Sequence, residues 1–274
     1  MTIGWWDNCA PWQWDDHDLF ASDPAWTANE YLLLEPIDHE NYDHADLPIG
    51  PHNDHALDPA VLDAVLPRAV GPALDFFDVF VRGFGDPAGV PRVRFAIAGE
   101  PGVRTADTWP PAGARTASWF PTVDGRLAPE SPGDGELTWV HDPDDPVPSP
   151  VENAFAYLAE WPDERALAER DDVLCFESAV LDDDLTLAGP VSFGATVVST
   201  GRECDVFVRL CDVAPDGSAH LIARGQRTVH DATAPCRVEV PMGHTGYLLR
   251  AGHALRLTIA SSDAPGVRAG ARHR

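Results

Sequence analysis

The feature that most constrains this chain is a pair of short apolar runs near its start, neither of which alternates. Thr2-Ile3-Gly4-Trp5-Trp6 is followed at once by Asp7, and Tyr31-Leu32-Leu33-Leu34 gives way to Glu35-Pro36. A short unalternating run bounded by turn residues reads as a strand buried on both faces, the kind found in parallel sheets. Parallel neighbours need a crossover of about a dozen residues or more, and Trp14 to Ala28 is long enough to supply one. In open α/β sheets, ligands and catalytic groups gather at the carboxyl ends of the strands. Asp7 and His39 each lie just beyond one of these strands. An acid after one strand and a histidine after the next follow the order Ser…Asp…His. In that order the carboxylate accepts from one imidazole nitrogen, and the other nitrogen takes the nucleophile's proton. The other reading of the same two residues, which spacing alone does not displace, is a solvated acid and a surface histidine.

The segment from Asp43 to Leu57 is rich in His, Asp, Pro and Gly and reads as a loop. His44, His52 and His55, with Asp43, Asp46 and Asp54, are residue types that hold divalent metals. No helix is expected there to align them, so a solvated loop is the reading and no metal site is assigned. A helix then follows, with Asp58 as N-cap, Pro59 at its first position and apolar residues at helical spacing to Phe80. Pro67 and Pro72 predict a kink or two helices, and Gly83 closes the segment. Beyond Gly83, strand-like runs alternate with turns, at 93–98, 117–121, 137–140, 173–178, 191–199, 206–213, 219–229, 237–240 and 255–260. Pro215-Asp216-Gly217 is a hairpin signal. Many short strands and few helices predict an antiparallel sandwich. Within it, Val206, Val208 and Leu210 should face one way and Asp205, Phe207 and Arg209 the other. The Pro- and acid-rich stretch from Asp142 to Glu169 reads as a surface excursion.

Charge and cysteine content narrow the function classes. With 19 basic and 44 acidic residues the formal net charge is −25, which repels phosphate backbones and argues against a nucleic-acid partner. No apolar run approaches the roughly 20 residues of a membrane span, and the start has neither the basic nor the apolar region of a secretory signal. The five cysteines are Cys9, Cys175, Cys204, Cys211 and Cys236, with no CxxC pair. They read as reduced thiols of a cytoplasmic protein, and no zinc site or other cofactor is expected from them. Cys9 lies among acids that raise its pKa, so it reads as an inert thiol rather than a substitute nucleophile. Trp5, Trp6, Trp12 and Trp14 suit an aromatic acyl or prolyl pocket, and equally suit ordinary core packing.

An ordered set of motifs carries a family resemblance. Gly4-Trp5-Trp6-Asp7-Asn8 resembles the G-W-[WY]-D segment that bears the triad acid in the X-prolyl dipeptidyl-peptidase and cocaine-esterase-like hydrolases. Leu32 to His39 occupies the place of that family's strand ending in the catalytic histidine, with Glu35-Pro36-Ile37-Asp38-His39 in place of G-P-W-x-H. Phe76 to Gly83 resembles the closing helix W-F-D-x-W-L-K-G. Asp107-Thr108-Trp109-Pro110-Pro111 and Asp142 to Pro148 resemble W-P-P and Y-D-P-x-D-P-V-P. Leu187 to Val191, Cys204 to Val213, Leu249 to Leu257 and Ser261 to Pro265 resemble L-x-G-P-V, D-F-x-x-x-L-x-D-V, F-R-A-G-H-R-[IL]-R-L and S-S-D-x-P.

The resemblance implies a multidomain α+β chain. Residues 1–85 would be part of an α/β-hydrolase core, its last two strands and closing helix, and residues 86–274 a jelly-roll β-sandwich. It implies catalytic roles for Asp7 and His39, with an ester or Xaa-Pro peptide as substrate. The sequence contains no G-x-S-x-G, the elbow that would present the serine. The chain alone is therefore expected to be inactive, and an apolar edge near Thr2 to Trp6 is expected to favour self-association. The tail from Val267 to Arg274 has no strand pattern. The alternatives are a jelly-roll module that binds a ligand or carbohydrate without catalysis, and an inactive gene remnant.

Overall fold

The structure, a computed structural model, describes residues 1–40, 60, 63, 66–68 and 70–264. The histidine-rich loop, the expected N-cap at Asp58 and the tail from Val267 lie outside the described residues. The described chain is mostly β-structure with few helices. Strand β1 (Thr2–Gly4) is followed by helices α1 (Ala10–Ala21) and α2 (Pro24–Thr27), and these lead into β2 (Leu32–Glu35). β1 and β2 pair in parallel, with Ile3 opposite Leu34, and Ile3, Trp5, Trp6, Leu32, Leu33 and Leu34 are buried as their composition requires. Helix α3 (Gly71–Phe80) then leads to β3 (Val93–Phe95), which pairs in parallel with β2. Pro72 falls in the first turn of α3, where a missing N–H costs nothing. β4 (Arg104–Ala106) closes this sheet on the antiparallel side of β3. No α/β-hydrolase core is present among the described residues. Residues 1–40 contribute two short strands and two helices, and the pairing of β2 with β3 runs across residues 85 and 86.

A small hairpin of β5 (Phe120–Pro121) and β6 (Leu127–Ala128) precedes the main β-structure. Four strands, β7 (Leu174–Glu177), β9 (Glu203–Val213), β10 (Ala219–His230) and β12 (Ala254–Ala260), form an antiparallel sheet in the order β10-β9-β12-β7. Two long strands, β8 (Leu185–Val197) and β11 (Cys236–Leu249), pair with one another, giving a β-sandwich. The hairpin at Pro215-Asp216-Gly217 forms as its residues require. Gly217 has φ +85°, and the Ala214 N–H donates to the Ser218 carbonyl.

The structure departs from three expectations. The run at 137–140 is not a strand: it is anchored through its side chain, the Trp139 indole donating to Ser261 Oγ at 2.9 Å. The run expected at 237–240 extends to Leu249, because a register shift between Pro241 and His244 absorbs the proline that appeared to end it. The stretch from 142 to 169 is not a surface excursion throughout. Val147, Val151, Tyr157, Leu158, Glu164 and Leu167 are buried. The helical turn α4 (Tyr157–Glu160) supplies Tyr157 and Leu158, and the 3-10 segment Glu164–Glu169 supplies Glu164 and Leu167. In consequence β9 is buried on both faces. Its Arg209 lies 3.6 Å from Glu164 and 2.6 Å from Asp263, a compensated buried charge.

One continuous core joins the parallel strands to the sandwich. Trp5 donates its indole N–H to the Ala96 carbonyl at 2.9 Å, and Trp6 donates to the Leu221 carbonyl at 3.0 Å. Helix α1 adds a third clamp. Trp14 stacks on His244 at 3.7 Å between ring centroids, and the Trp109 indole donates to His244 Nδ1 at 2.9 Å. That bond needs a neutral acceptor nitrogen. Burial, helped by the charge of His17, lowers the His244 pKa to about 4. An unfolded histidine titrates near 6.5, so the unfolded chain takes up this proton first as pH falls. The stability His244 contributes is complete above about pH 6.5 and is lost as pH drops toward 4, by at most about 3 kcal/mol. We expect His244→Phe to flatten this loss. Urea unfolding of both proteins between pH 7 and pH 4.5 checks it, and equal pH slopes would contradict it.

Candidate active site

The site begins with a glycine. A Cβ on Gly4 would lie 2.5 Å from the Ile37 carbonyl oxygen, so only glycine lets the chain leaving β1 pass so close to the chain leaving β2. The ladder then continues beyond both strands. The Trp5 N–H donates to the Glu35 carbonyl at 3.0 Å, and the Trp6 N–H to the Ile37 carbonyl at 3.1 Å. Two parallel strands extended in register deliver the next residues of each to the same end of the sheet. There His39 Nδ1 lies 3.0 Å from Asp7 Oδ1. Asp7 Oδ1 also accepts the Cys9 N–H at 2.8 Å, which holds the carboxylate against the first turn of α1. The Asp7 side chain is 15% exposed and that of His39 is 45% exposed, so the imidazole stands open to solvent above an oriented carboxylate.

Two residues that the sequence did not single out position His39. Asp38 is buried and accepts the Glu40 N–H at 3.1 Å and the Leu158 N–H at 3.0 Å, tying the exit of β2 to α4. Phe155 meets the His39 ring edge-on, with centroids 5.2 Å apart. Neither carried a sequence signal: Asp38 stands among Glu35, His39 and Glu40, and Phe155 lies in the stretch read as a surface excursion. Glu35, also buried, is paired with Arg68 at 2.7 Å.

The aromatic candidates do not come together as a pocket. Trp5 and Trp6 are core residues whose N–H groups are taken by carbonyls, Trp14 is buried against His244, and Trp12 is 65% exposed on α1. A cavity of about 420 Å³ does lie between the starts of β1 and β2 and α3, but Tyr31, Leu33, Phe76 and Phe77 are among its lining and the Asp7–His39 pair is not. Burial and the Asp7 carboxylate push the Cys9 thiol up, away from a nucleophilic thiolate. Asp7, Cys9 and His39 each offer one possible metal-ligand atom, all within 4.8 Å of one another.

Residues 88–271 match the X-Pro dipeptidyl-peptidase C-terminal non-catalytic domain. The chain belongs to that family. It is 30% identical over 215 residues to the cocaine esterase of Rhodococcus sp. (strain MB1 Bresler), an alignment covering 69% of this chain and 37% of the esterase. Its fold is similar to that of an α-amino acid ester hydrolase (22% identity, TM-score 0.67, 86% of this chain and 43% of that one). It is also similar to that of an aminopeptidase from the marine sediment archaeon Thaumarchaeota archaeon (20% identity, TM-score 0.67, 86% and 42%). The chain thus spans well under half the length of each of these proteins. The family match begins at residue 88, so Asp7 and His39 stand outside it. No helix among the described residues is long and apolar enough to cross a membrane.

The anchoring of His39 predicts a measurable cost. Asp38→Ala strands a buried N–H at Leu158 and should lower stability by about 1–3 kcal/mol. Urea unfolding at pH 7 checks this against Asp134→Ala, an exposed control. Equal costs for the two substitutions would contradict the anchoring.

Proposed function

We propose that this chain supplies the charge-relay half of a Ser-His-Asp hydrolase acting on acyl esters or Xaa-Pro amides, with Asp7 and His39 as its acid and base. The observation that carries the proposal is the 3.0 Å contact between His39 Nδ1 and Asp7 Oδ1 at the carboxyl end of two parallel strands. Residues 1–85 then carry the segment that would join such a hydrolase region, and residues 86–274 correspond to a jelly-roll sandwich. The nucleophile and the oxyanion donors belong to a hydrolase region that these residues complete.

Asp7 accepts the His39 Nδ1–H and so leaves Nε2 as the free acceptor. As a serine hydroxyl attacks the substrate carbonyl, its proton passes to Nε2 while the O–C bond forms. The imidazolium then protonates the departing alkoxide or amine, and water repeats the sequence to release the acid. The exposed imidazole supports this role, since Nε2 must be open to the serine it serves. Two further features favour association with such a region. β1 lies at the edge of its sheet, and Leu74, Phe77 and Val81 on and just after α3 are exposed. Without that region, the same edge favours self-association.

A second reading, a module that binds without catalysis, is favoured by a cleft of about 2010 Å³ in the sandwich, with Trp139, His141, Phe193 and Thr228 among its lining. Fluorophosphonate labelling separates the two. This chain alone should show no labelled serine and no ester turnover. A protein in which it completes a serine-bearing hydrolase region should turn over esters, and Asp7→Asn in that protein should lower kcat by about 10⁴-fold. Turnover unchanged by Asp7→Asn would contradict the relay and leave the binding reading.

A further inference from the structure

We propose that Asp7, Cys9 and His39 form a binding site for one thiophilic divalent cation of the zinc class. Among the described residues, this is the one set of three His, Cys, Asp or Glu side chains whose ligand atoms converge, all within 4.8 Å of one another. Zinc bonds of about 2.0–2.3 Å place ligand atoms about 3.3–3.8 Å apart in a tetrahedron, so side-chain rotations on the order of an ångström close the site. The backbone is already shaped for it. Asp7 and Cys9 share one turn, in which the Asp7 N–H donates to the Gly4 carbonyl and the Ala10 N–H to the Asp7 carbonyl. His39 comes from the neighbouring strand exit and is exposed enough to turn.

The donor set selects the metal. One sulfur, one imidazole nitrogen and one carboxylate oxygen suit zinc, cobalt or cadmium, whereas magnesium and calcium take oxygen ligands. On binding, the Cys9 S–H bond breaks, its proton goes to solvent and a sulfur–metal bond forms, with no change of oxidation state. The Cys9 thiol gives up a weak contact to Asn8 Oδ1 at 3.6 Å and its interaction with the Asp7 carboxylate, and the ion then joins both groups. The thiolate and the Asp7 carboxylate together balance the ion's charge, and a net charge of −25 raises its local concentration. Three protein ligands leave a fourth position for water. This site goes beyond the hydrolytic proposal and does not depend on it. A cation bound through His39 and Asp7 would compete with the relay for the same groups.

Cobalt(II) titration of the full chain tests the site without any substrate. We expect a saturable sulfur-to-cobalt charge-transfer band at one ion per chain, displaced by zinc. Cys9→Ser should abolish the band, and His39→Gln should weaken binding about tenfold or more. No such band, or a band unchanged in folded Cys9→Ser, would overturn the site. If Cys9→Ser fails to fold, alkylation of the unsubstituted chain decides. Zinc should protect Cys9 from iodoacetamide in peptide mass spectra, and an unprotected Cys9 would overturn the proposal.

Discussion

Much of the architecture around the candidate site depends on one close approach, the passage of Gly4 beside the Ile37 carbonyl. With no side chain at position 4, the two strand exits run side by side and continue the parallel ladder through Trp5 and Trp6. Parallel pairing has a geometric consequence that antiparallel pairing lacks: residues that follow the two strands emerge at the same end. Asp7 and His39 therefore meet although some thirty positions separate them, and no loop has to fold back to bring them together. Any side chain at position 4 would force the exits apart and act on the dyad from a distance.

The same two tryptophans bind this small sheet to the sandwich. Their indole N–H groups reach carbonyls at Ala96 and Leu221, so each large apolar surface is buried with its one donor satisfied. Ala98 bridges to β11 through backbone bonds with Gly246 and Leu248, and His244 is clamped between Trp14 and Trp109. Trp5 packs so closely on Gly246 that a Cβ there would lie 2.8 Å from its ring. The segment carrying the dyad is thus rigidly part of the body of the protein. On the other side, Asp38 and Phe155 brace His39 from the chain around α4. The dyad is held between two parts of the chain that differ in texture and share one core.

The local signals that proved legible were those that a single element enforces. The unalternating runs at Thr2–Trp6 and Tyr31–Leu34 had no other stable home than a doubly covered parallel pair, and Pro215-Asp216-Gly217 had no other turn to make. Once that pair forms, Asp7 and His39 emerge at its carboxyl end and meet, which their spacing alone left open. What sequence could not carry was long-range compensation. Arg209 reads as a solvent-facing residue until Glu164 and Asp263 arrive from segments far along the chain. Glu164 itself lies in a stretch whose prolines and acids suggest exposure, while its Tyr157 and Leu158 are buried. Pro241 looked like the end of a strand because the bulge that absorbs it is a property of the pairing with β8. Trp5 and Trp6 suited a pocket or a core equally, and only the carbonyls that meet their N–H groups decide between the two.

The central claim is that Asp7 orients His39 through a hydrogen bond at Nδ1, and ¹⁵N NMR of the histidine imidazoles tests it most directly. The account predicts that at neutral pH His39 carries its proton on Nδ1, with Nε2 as the free acceptor, and that Asp7→Asn abolishes this preference while the fold persists. A His39 protonated on Nε2, with a tautomer balance that Asp7→Asn leaves unchanged, would contradict it.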